Sequence, residues 1–188
     1  MDPTRELRER DELLDRIRPY VDERGITNLT LETLADALGM RAASLREFFE
    51  TKEELVVALL ARNRIRLRAQ FARFDADATL TDREFGRSMW NFYVETASDS
   101  KLFFEAFGLA LHDELYGEFF HGVNDWLDLL ADALTRRGME AERAGAFATL
   151  TLAVFRGAML DYCATGDRVR LDAAMEMWFA VAGSGIER

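Results

Sequence analysis

The sequence predicts an all-α protein of about nine helices, with an N-terminal three-helix domain followed by a larger helical domain. Three observations support this fold class. Apolar residues recur at three- and four-residue intervals through almost all of the 188 residues. No segment shows the strict apolar–polar alternation of a half-buried strand. Only two prolines occur, and capping residues and glycines fall between the periodic segments.

The first four helices are delimited by caps and glycines. The first ends at Gly25, a residue that readily takes the left-handed conformation at a helix end. Thr30 is expected to cap a short second helix that stops at Gly39. A third short helix follows, and Thr51 opens a long fourth helix with Glu54 completing a capping box.

Five further helices are predicted after a linker over residues 75–79. Thr81 and Glu84 form a second capping box at the start of the fifth helix. The next helix contains Leu102 to Leu111. The last three are predicted from near Glu114 to Arg136 and, roughly, over 140–164 and 168–182.

Composition and charge restrict the function. The 24 basic and 34 acidic side chains give a net charge of −10, which alone disfavours a nucleic-acid-binding protein. The single cysteine, Cys163, cannot form an internal disulfide and fits the reducing cytoplasm. Apolar runs are broken by Arg or Asp, so we expect no membrane span. The two histidines lack a ligand cluster, and no nucleophile–base pair or phosphate-binding loop is present, so we expect no metal, cofactor or enzyme activity.

Residues 30–52 carry the most specific pattern. A helix-turn-helix needs a small residue where its helices cross, a residue free to take positive φ at the turn, and apolar anchors on both helices. Seven of the 15 positions from 34 to 48 meet these needs: Leu34, Ala35, Leu38, Gly39, Met40, Leu45 and Phe48.

Together with its flanks, this pattern resembles the tetracycline-repressor (TetR) family of bacterial transcription regulators over about the first 60 residues. The motifs that carry the resemblance are Glu23-Arg24-Gly25, Thr30 with Leu34-Ala35, Gly39-Met40, Ser44-Leu45-Arg46-Glu47-Phe48-Phe49 and Thr51-Lys52-Glu53-Glu54-Leu55. Three positions depart from the family pattern, and one of them is Pro19, which is unusual for the first helix. Arg46 stands where the family usually has Tyr, and Arg41 stands where Ser or Thr usually caps the recognition helix, so that cap is expected to be lost.

The resemblance implies a helix-turn-helix DNA-binding domain over residues 1–50 and a ligand-binding and dimerisation domain over 51–188. It implies a dimer that binds a palindromic operator as a repressor and is released by a small hydrophobic or aromatic effector. The residues that it places at the DNA are Thr30, Arg41, Ala42, Ala43, Ser44, Arg46, Glu47 and Lys52.

Two further surfaces follow from the resemblance and from the apolar content. Aromatic residues concentrate between 85 and 126, which indicates either an ordinary core or an effector cavity between helices. The predicted cavity residues are Met89, Tyr93, Phe103, Phe107, Phe119 and Trp126.

The last two helices carry more apolar surface than one buried face needs, which indicates a dimer interface. Its predicted residues are Phe155, Met159, Tyr162, Met175, Trp178 and Phe179.

Two alternatives remain open at this stage. The fold is also compatible with weakened or lost operator binding and action through a protein partner, because Arg41, Arg46 and Glu47 are atypical for a recognition helix. An all-α enzyme that uses the aromatic cavity is the second alternative.

The arginines at 62, 64, 66 and 68 alternate between two sides of a helix, so they predict ion pairs or domain contacts rather than one basic stripe.

Overall fold

A computed structural model describes the backbone of residues 3–77, 79–112 and 116–186, and the side chains of 5–77, 79–112, 116 and 125–182. Over these residues the chain forms nine α-helices and no strand, which confirms the predicted fold class. The helices are α1 Pro3–Arg24, α2 Leu31–Ala37, α3 Ala42–Arg46, α4 Lys52–Asp75, α5 Asp82–Glu95, α6 Ala97–Ala110, α7 Gly117–Arg136, α8 Ala141–Thr165 and α9 Arg168–Ile186.

The chain divides into two compact units. Unit 1 comprises the described residues of Met1–Arg64 and Lys101–Phe119, and unit 2 comprises those of Ile65–Ser100 and Phe120–Arg188. The division between the units runs through α4, α6 and α7 and does not coincide with the boundary predicted at residue 50.

The core of unit 1 explains why it extends beyond residue 50. Leu55 and Val56 on α4 are completely buried and belong to the same apolar cluster as the residues of α1–α3. Leu102 and Ala106 on α6 join that cluster at 3% and 0% exposure. Three helices without these additions would leave one side of their apolar core open to water.

Unit 2 begins its first complete helix with the predicted cap. The Thr81 hydroxyl accepts a hydrogen bond from the Glu84 amide at 3.3 Å, and the Glu84 carboxylate accepts one from the Thr81 amide at 2.9 Å. This reciprocal pair satisfies two amides that the helix itself leaves unpaired.

The arginines after residue 60 form ion pairs, as the alternating pattern predicts. Arg62 in unit 1 lies 2.8 Å from the Asp15 carboxylate. In unit 2, Arg66 pairs with Asp99 and Arg68 lies 3.3 Å from Asp125. These pairs cancel charges that would otherwise suggest a nucleic-acid-binding stripe.

Helix α8 differs from the expectation that no segment resembles a membrane span. By length and composition alone it could cross a membrane, with a mean hydropathy of 1.2 over its most apolar 18 residues. Only 22% of that stretch is buried. Core helices of water-soluble proteins can have the same length and composition, but they are mostly buried. The distinguishing property of α8 is therefore the amount of apolar surface that it exposes.

An acidic side chain on α9 fastens that helix to α5. Glu176 accepts hydrogen bonds from Arg87 at 2.5 Å and from Arg83 at 2.7 Å. The hydrogen bond from Arg87, followed by that from Arg83, lowers the pKa of the Glu176 carboxyl from 4.5 to about 2. A carboxyl whose pKa falls on folding stabilises the protein above its unfolded pKa and loses that contribution as the pH falls through the folded value.

We therefore expect Glu176→Gln to lower the Tm by about 1–4 °C at pH 7, the range for an exposed ion pair in a domain of this size. The deficit should close as the pH falls from about 4.5 to about 2, because wild-type Glu176 then becomes protonated. Thermal unfolding followed by circular dichroism across this range measures it. Glu95→Gln on α5, an exposed position, is the control, and a Glu176→Gln deficit that persists at pH 2 would contradict the ion-pair origin.

Candidate functional site

The short helices α2 and α3 are held by residues buried in the core of unit 1. Leu34 and Leu45 are completely buried, and Ala35 is 1% exposed. A larger residue than alanine at position 35 would keep the two helices apart. The apolar positions that predict a helix-turn-helix are therefore the positions that clamp α2 and α3 together.

The turn between these helices is a Schellman motif. Gly39 has φ +65°, its amide donates to the Asp36 carbonyl at 3.1 Å, and the Met40 amide donates to the Ala35 carbonyl at 3.0 Å. Both bonds satisfy carbonyls that the end of α2 leaves unpaired, and the positive φ favours glycine. The turn thus sets the angle at which α3 leaves α2.

The two helix starts differ as the sequence predicts. The Thr30 hydroxyl accepts a hydrogen bond from the Thr33 amide at 3.1 Å, and the Thr33 hydroxyl accepts one from the Thr30 amide at 3.3 Å. Arg41 is the N-cap of α3 and makes no side-chain capping bond. The start of α3 therefore lacks the stabilisation of about 1 kcal/mol that a Ser or Thr cap provides.

The exposed face of α3 carries three of the residues predicted at DNA. Ala43, Arg46 and Glu47 follow i, i+3, i+4 spacing and are exposed, so they share one side of the helix. Arg41 is exposed beside them, and no ion pair to it is found within the part of the chain that the structure describes. Arg46 is paired with the Glu32 carboxylate on α2.

The remaining predicted DNA residues are distributed around this face. Thr30 is exposed at the start of α2, whereas Ala42 and Ser44 on α3 are half-buried. Lys52, the first residue of α4, is half-buried and its Nζ lies 3.4 Å from the Thr27 carbonyl. Glu32 is not among the predicted residues, because nothing in the linear pattern indicates that a residue of α2 meets Arg46 fourteen positions later.

A hydrogen bond from the α1–α2 turn to α6 holds the other end of the motif. The Ile26 amide donates to the Glu105 carboxylate at 2.6 Å. Gly25 precedes it with φ +69°, and a Cβ at this position would lie 2.7 Å from both carboxylate oxygens. Gly25 therefore satisfies two requirements at once, a left-handed backbone and room for Glu105.

We expect Gly25→Ala to lower the free energy of unfolding by about 2–4 kcal/mol, since it adds backbone strain and displaces the Glu105 carboxylate from the Ile26 amide. Gly39→Ala is the matched control, because Gly39 has φ +65° but open space where a Cβ would stand. It should cost only the strain, about 1–2 kcal/mol. Urea denaturation measures both values, and equal losses would show that the contact with Glu105 contributes nothing.

Unit 2 contains a cavity with about 830 Å³ of empty space, part of it open to solvent. Its wall is formed by residues of α4, α5, α7, α8 and α9 and is mainly aromatic and aliphatic. The aromatic members are Phe71, Phe85, Tyr93, Trp126, Phe147, Phe155, Trp178 and Phe179. An apolar, aromatic lining of this kind suits a small organic ligand.

The predicted cavity residues divide into three groups. Met89, Tyr93 and Trp126 lie in the wall of the cavity. Phe103 and Phe107 belong to unit 1, where their rings stack on α6 with centroids 5.9 Å apart. The side chain of Phe119 lies outside the described residues. Aromatic density along the sequence does not reveal which helix faces meet, and this is why the α6 residues were assigned to the cavity.

The residues predicted at a dimer interface mostly point into unit 2. Met159, Met175 and Phe179 are at most 3% exposed, and Phe155 is 9% exposed. Phe155, Phe179 and the half-buried Trp178 line the cavity. The half-buried Tyr162 contacts Trp90, with ring centroids 6.5 Å apart. Apolar content alone did not distinguish the inner face of α8 and α9 from the outer one.

The polar groups at the cavity are few and balanced in charge. Arg137 donates to the Asp82 carboxylate at 3.1 Å, and its guanidinium lies 4.8 Å from the centre of the Phe85 ring. Burial raises the pKa of the Tyr93 hydroxyl to about 12, an effect that the positive charge of Arg156 opposes. Tyr93 is therefore protonated at neutral pH, and its hydroxyl can donate a hydrogen bond.

Thr151 places an unpaired hydroxyl at the cavity. Its oxygen is buried and has no hydrogen-bond partner within the described part of the chain. The nearby Thr149 behaves differently, because its hydroxyl donates to the Gly145 carbonyl one turn earlier at 2.9 Å. A polar group on a ligand would satisfy the Thr151 hydroxyl.

The close approach of α5 and α9 shapes one wall. A Cβ at Gly86 would lie 2.8 Å from the Phe179 ring, and both residues line the cavity. The absence of a side chain at Gly86 thus leaves room for the Phe179 ring.

We expect Thr151→Val to raise the free energy of unfolding of the ligand-free protein by about 1 kcal/mol, because it replaces a buried unpaired hydroxyl with a methyl group of similar size. Thr149→Val, which removes a satisfied and exposed hydroxyl, should change stability by less than about 0.5 kcal/mol. Parallel urea denaturation of the two variants provides the comparison. A loss of stability in Thr151→Val would mean that its hydroxyl is satisfied.

No group of three or more His, Cys, Asp and Glu side chains is placed to hold a metal ion among the residues whose positions are described. Cys163 is half-buried, with its Sγ 3.9 Å from the Ala97 carbonyl.

Comparison with known proteins agrees with this geometry. Residues 66–177 match the family model of the LmrA/YxaF-like transcriptional regulator C-terminal domain. None of the curated protein sequences matches the chain.

Several solved structures share the fold. A TetR-family transcriptional regulator from Streptomyces coelicolor is 16% identical, with 97% of each chain covered and a TM-score of 0.79. A TetR-family regulator from Agrobacterium tumefaciens is 20% identical, with 93% of this chain and 97% of that chain covered and a TM-score of 0.74. The ketosteroid transcriptional regulator KstR2 of Mycobacterium tuberculosis is 18% identical, with 94% of each chain covered and a TM-score of 0.63.

Proposed function

We propose that this chain, which belongs to the TetR family of transcriptional regulators, is a cytoplasmic repressor that binds a palindromic operator as a homodimer and is released by a small hydrophobic effector. Unit 1 contacts the DNA, the cavity of unit 2 binds the effector, and α8 and α9 join the two copies. The protein acts by binding and carries out no catalysis.

One observation carries the DNA-binding proposal: the clamp between α2 and α3 is completely buried while the outer face of α3 is exposed. Leu34 and Leu45 fix the helices from within. Ala43, Arg46 and Glu47 are left exposed on the side of α3 that would meet the major groove. The small side chain of Ala43 permits a close approach of α3 to the floor of the groove, and Arg46 can contact a phosphate or a guanine edge.

The acidity of the protein determines how this face binds. Residues 1–60 contain nine basic and fourteen acidic side chains, so this part of the chain gains little from long-range attraction to DNA. Screening limits charge effects to about 8–10 Å, and the local cations Arg41, Arg46 and Lys52 therefore decide the contact. Affinity should depend on these few residues.

We expect Arg46→Ala with Lys52→Ala to abolish specific binding, lowering operator affinity by at least about 100-fold, since each lost phosphate contact removes charge-assisted hydrogen bonds. An operator is first selected from randomised duplexes with the full chain, and binding is then measured by fluorescence anisotropy at two salt concentrations. Arg5→Ala with Arg8→Ala, which removes the same charge from the first turns of α1, is the control.

Normal affinity in the Arg46, Lys52 variant would place the interface elsewhere. If wild-type protein binds its selected duplex no better than random DNA, the alternative of a TetR-like fold acting through a protein partner replaces the repressor.

The cavity supports an effector that is neutral and largely apolar, with a few hydrogen-bonding groups. Its aromatic wall favours rings, and Arg137 is already balanced by the Asp82 carboxylate, so a charged ligand gains little there. The hydroxyls of Thr151 and Tyr93 provide sites for the polar groups of the effector. A steroid-like or other polycyclic ligand has these properties, and one structural neighbour is a ketosteroid regulator.

Release from DNA requires that the effector bind one conformation more tightly than the other. A ligand with equal affinity for both states would shift nothing, however tightly it bound. We propose that the effector favours a dimer in which the two α3 helices no longer fit half-sites about 34–36 Å apart.

The outer face of α8 supports dimerisation. Its exposed residues recur at alternating steps of four and three: Ala146, Leu150, Ala153, Gly157, Leu160 and Ala164. This spacing forms an uncharged stripe that suits packing against another helix. Val169, Ala173, Met177 and Ala180 form a similar exposed stripe on α9, with Val169 82% and Met177 73% exposed. We therefore propose these residues, rather than the buried ones predicted from composition, as the interface.

We expect Leu160→Glu with Met177→Glu to convert the dimer into a monomer, because four charges per dimer would be desolvated at its interface. Sedimentation velocity measures the mass. Leu7→Glu with Ile65→Glu, two exposed apolar positions on α1 and α4, should leave the dimer intact. A dimer that survives the Leu160, Met177 variant would require another interface.

A further inference from the structure

We propose that Glu32 is an electrostatic competitor of DNA: its carboxylate holds the Arg46 guanidinium in the free protein and lowers the sequence-independent part of DNA affinity. The inference rests on the proposed function, because it takes the exposed face of α3 as the face that meets DNA. It assigns a role to a residue outside the predicted set of DNA contacts.

The ion pair joins the two helices of the helix-turn-helix. Glu32 is the second residue of α2, and Arg46 is the last residue of α3. The side chain of Arg46 is 50% exposed and that of Glu32 is 57% exposed. Solvent reaches both partners, so the pair is weak enough to exchange with another anion.

Arg46 is distinguished from the other two cations of this surface. Arg41 is exposed, and the Lys52 ammonium contacts a backbone carbonyl, that of Thr27, at 3.4 Å. Within the described residues, neither of them forms an ion pair with a carboxylate, whereas Arg46 does. The competition therefore acts on one cation.

Exchange of this pair reduces what Arg46 contributes to DNA binding. When a phosphate takes the guanidinium, the Glu32 carboxylate loses its partner and remains close to a second negative charge. Like charges at short range repel, so the gain from the new contact is offset by the broken pair and by this repulsion. A chain with a neutral residue at position 32 avoids both costs.

The position of Glu32 allows this to be tested without disturbing the fold. The capping box of α2 uses the side chains of Thr30 and Thr33 only. Asp36 lies one turn later on α2, is exposed, and forms no ion pair with any described residue. Asp36→Asn therefore changes the net charge of α2 by the same amount as Glu32→Gln, and it leaves the pair of Arg46 with Glu32 intact.

The experiment measures binding of the full chain to a fluorescently labelled random-sequence duplex of about 30 base pairs between about 50 and 200 mM salt. We expect Glu32→Gln to raise the DNA affinity about 3- to 10-fold at the lowest salt. The slope of log affinity against log salt concentration should become steeper by about 0.9 per subunit, which corresponds to one extra phosphate contact. Asp36→Asn should give less than half of that gain. In an Arg46→Gln background, Glu32→Gln should raise the DNA affinity by no more than Asp36→Asn does.

Two results would overturn the inference while leaving the proposed function intact. One is an equal gain from Glu32→Gln and Asp36→Asn, and the other is a Glu32→Gln gain that persists without Arg46. If neither the wild type nor any variant binds duplex DNA at low salt, the proposed function fails together with the inference. Far-UV circular dichroism checks folding, and Glu32→Thr provides a second neutral variant.

Discussion

The close crossing of α2 and α3 is the constraint on which the helix-turn-helix of unit 1 depends. These helices have seven and five residues, and helices of this length are unstable alone in water. They persist because Leu34, Ala35 and Leu45 are buried in a core that α1, α4 and α6 complete. The Schellman turn at Gly39 then leaves a single direction for α3, so burial inside unit 1 determines which side chains remain outside.

Charge in this protein is organised by local pairing rather than by net sign. Carboxylates contact arginines along α1 and α4, as in the pairs of Arg10 with Glu54 and Arg62 with Asp15. The cavity follows the same rule, since Arg137 faces Asp82. A net charge of −10 therefore coexists with exposed cations at α3. Its main effect is to weaken the long-range attraction between the protein and other anions.

The fold was predictable from the sequence to a greater degree than the sites were. Helical periodicity, the caps at Thr30 and Thr81 and the glycine at position 39 are local signals, and the helices begin and end close to the predicted residues. The cavity and the outer face of α8 depend on which helix sides meet. Composition places Phe155 and Phe107 in equally apolar helices, but only packing shows that the first lines the cavity and the second does not. The Glu32–Arg46 pair was unpredictable for the same reason.

The contact between Gly86 and Phe179 has a consequence for how such regulators diversify. The absence of a side chain at Gly86 on α5 leaves room for the Phe179 ring of α9, and that ring forms part of the cavity wall. A single-codon change at position 86 would therefore reshape the cavity while every residue of α2 and α3 stays the same. Under the proposed function, effector range and operator choice would then evolve independently, each under its own selection.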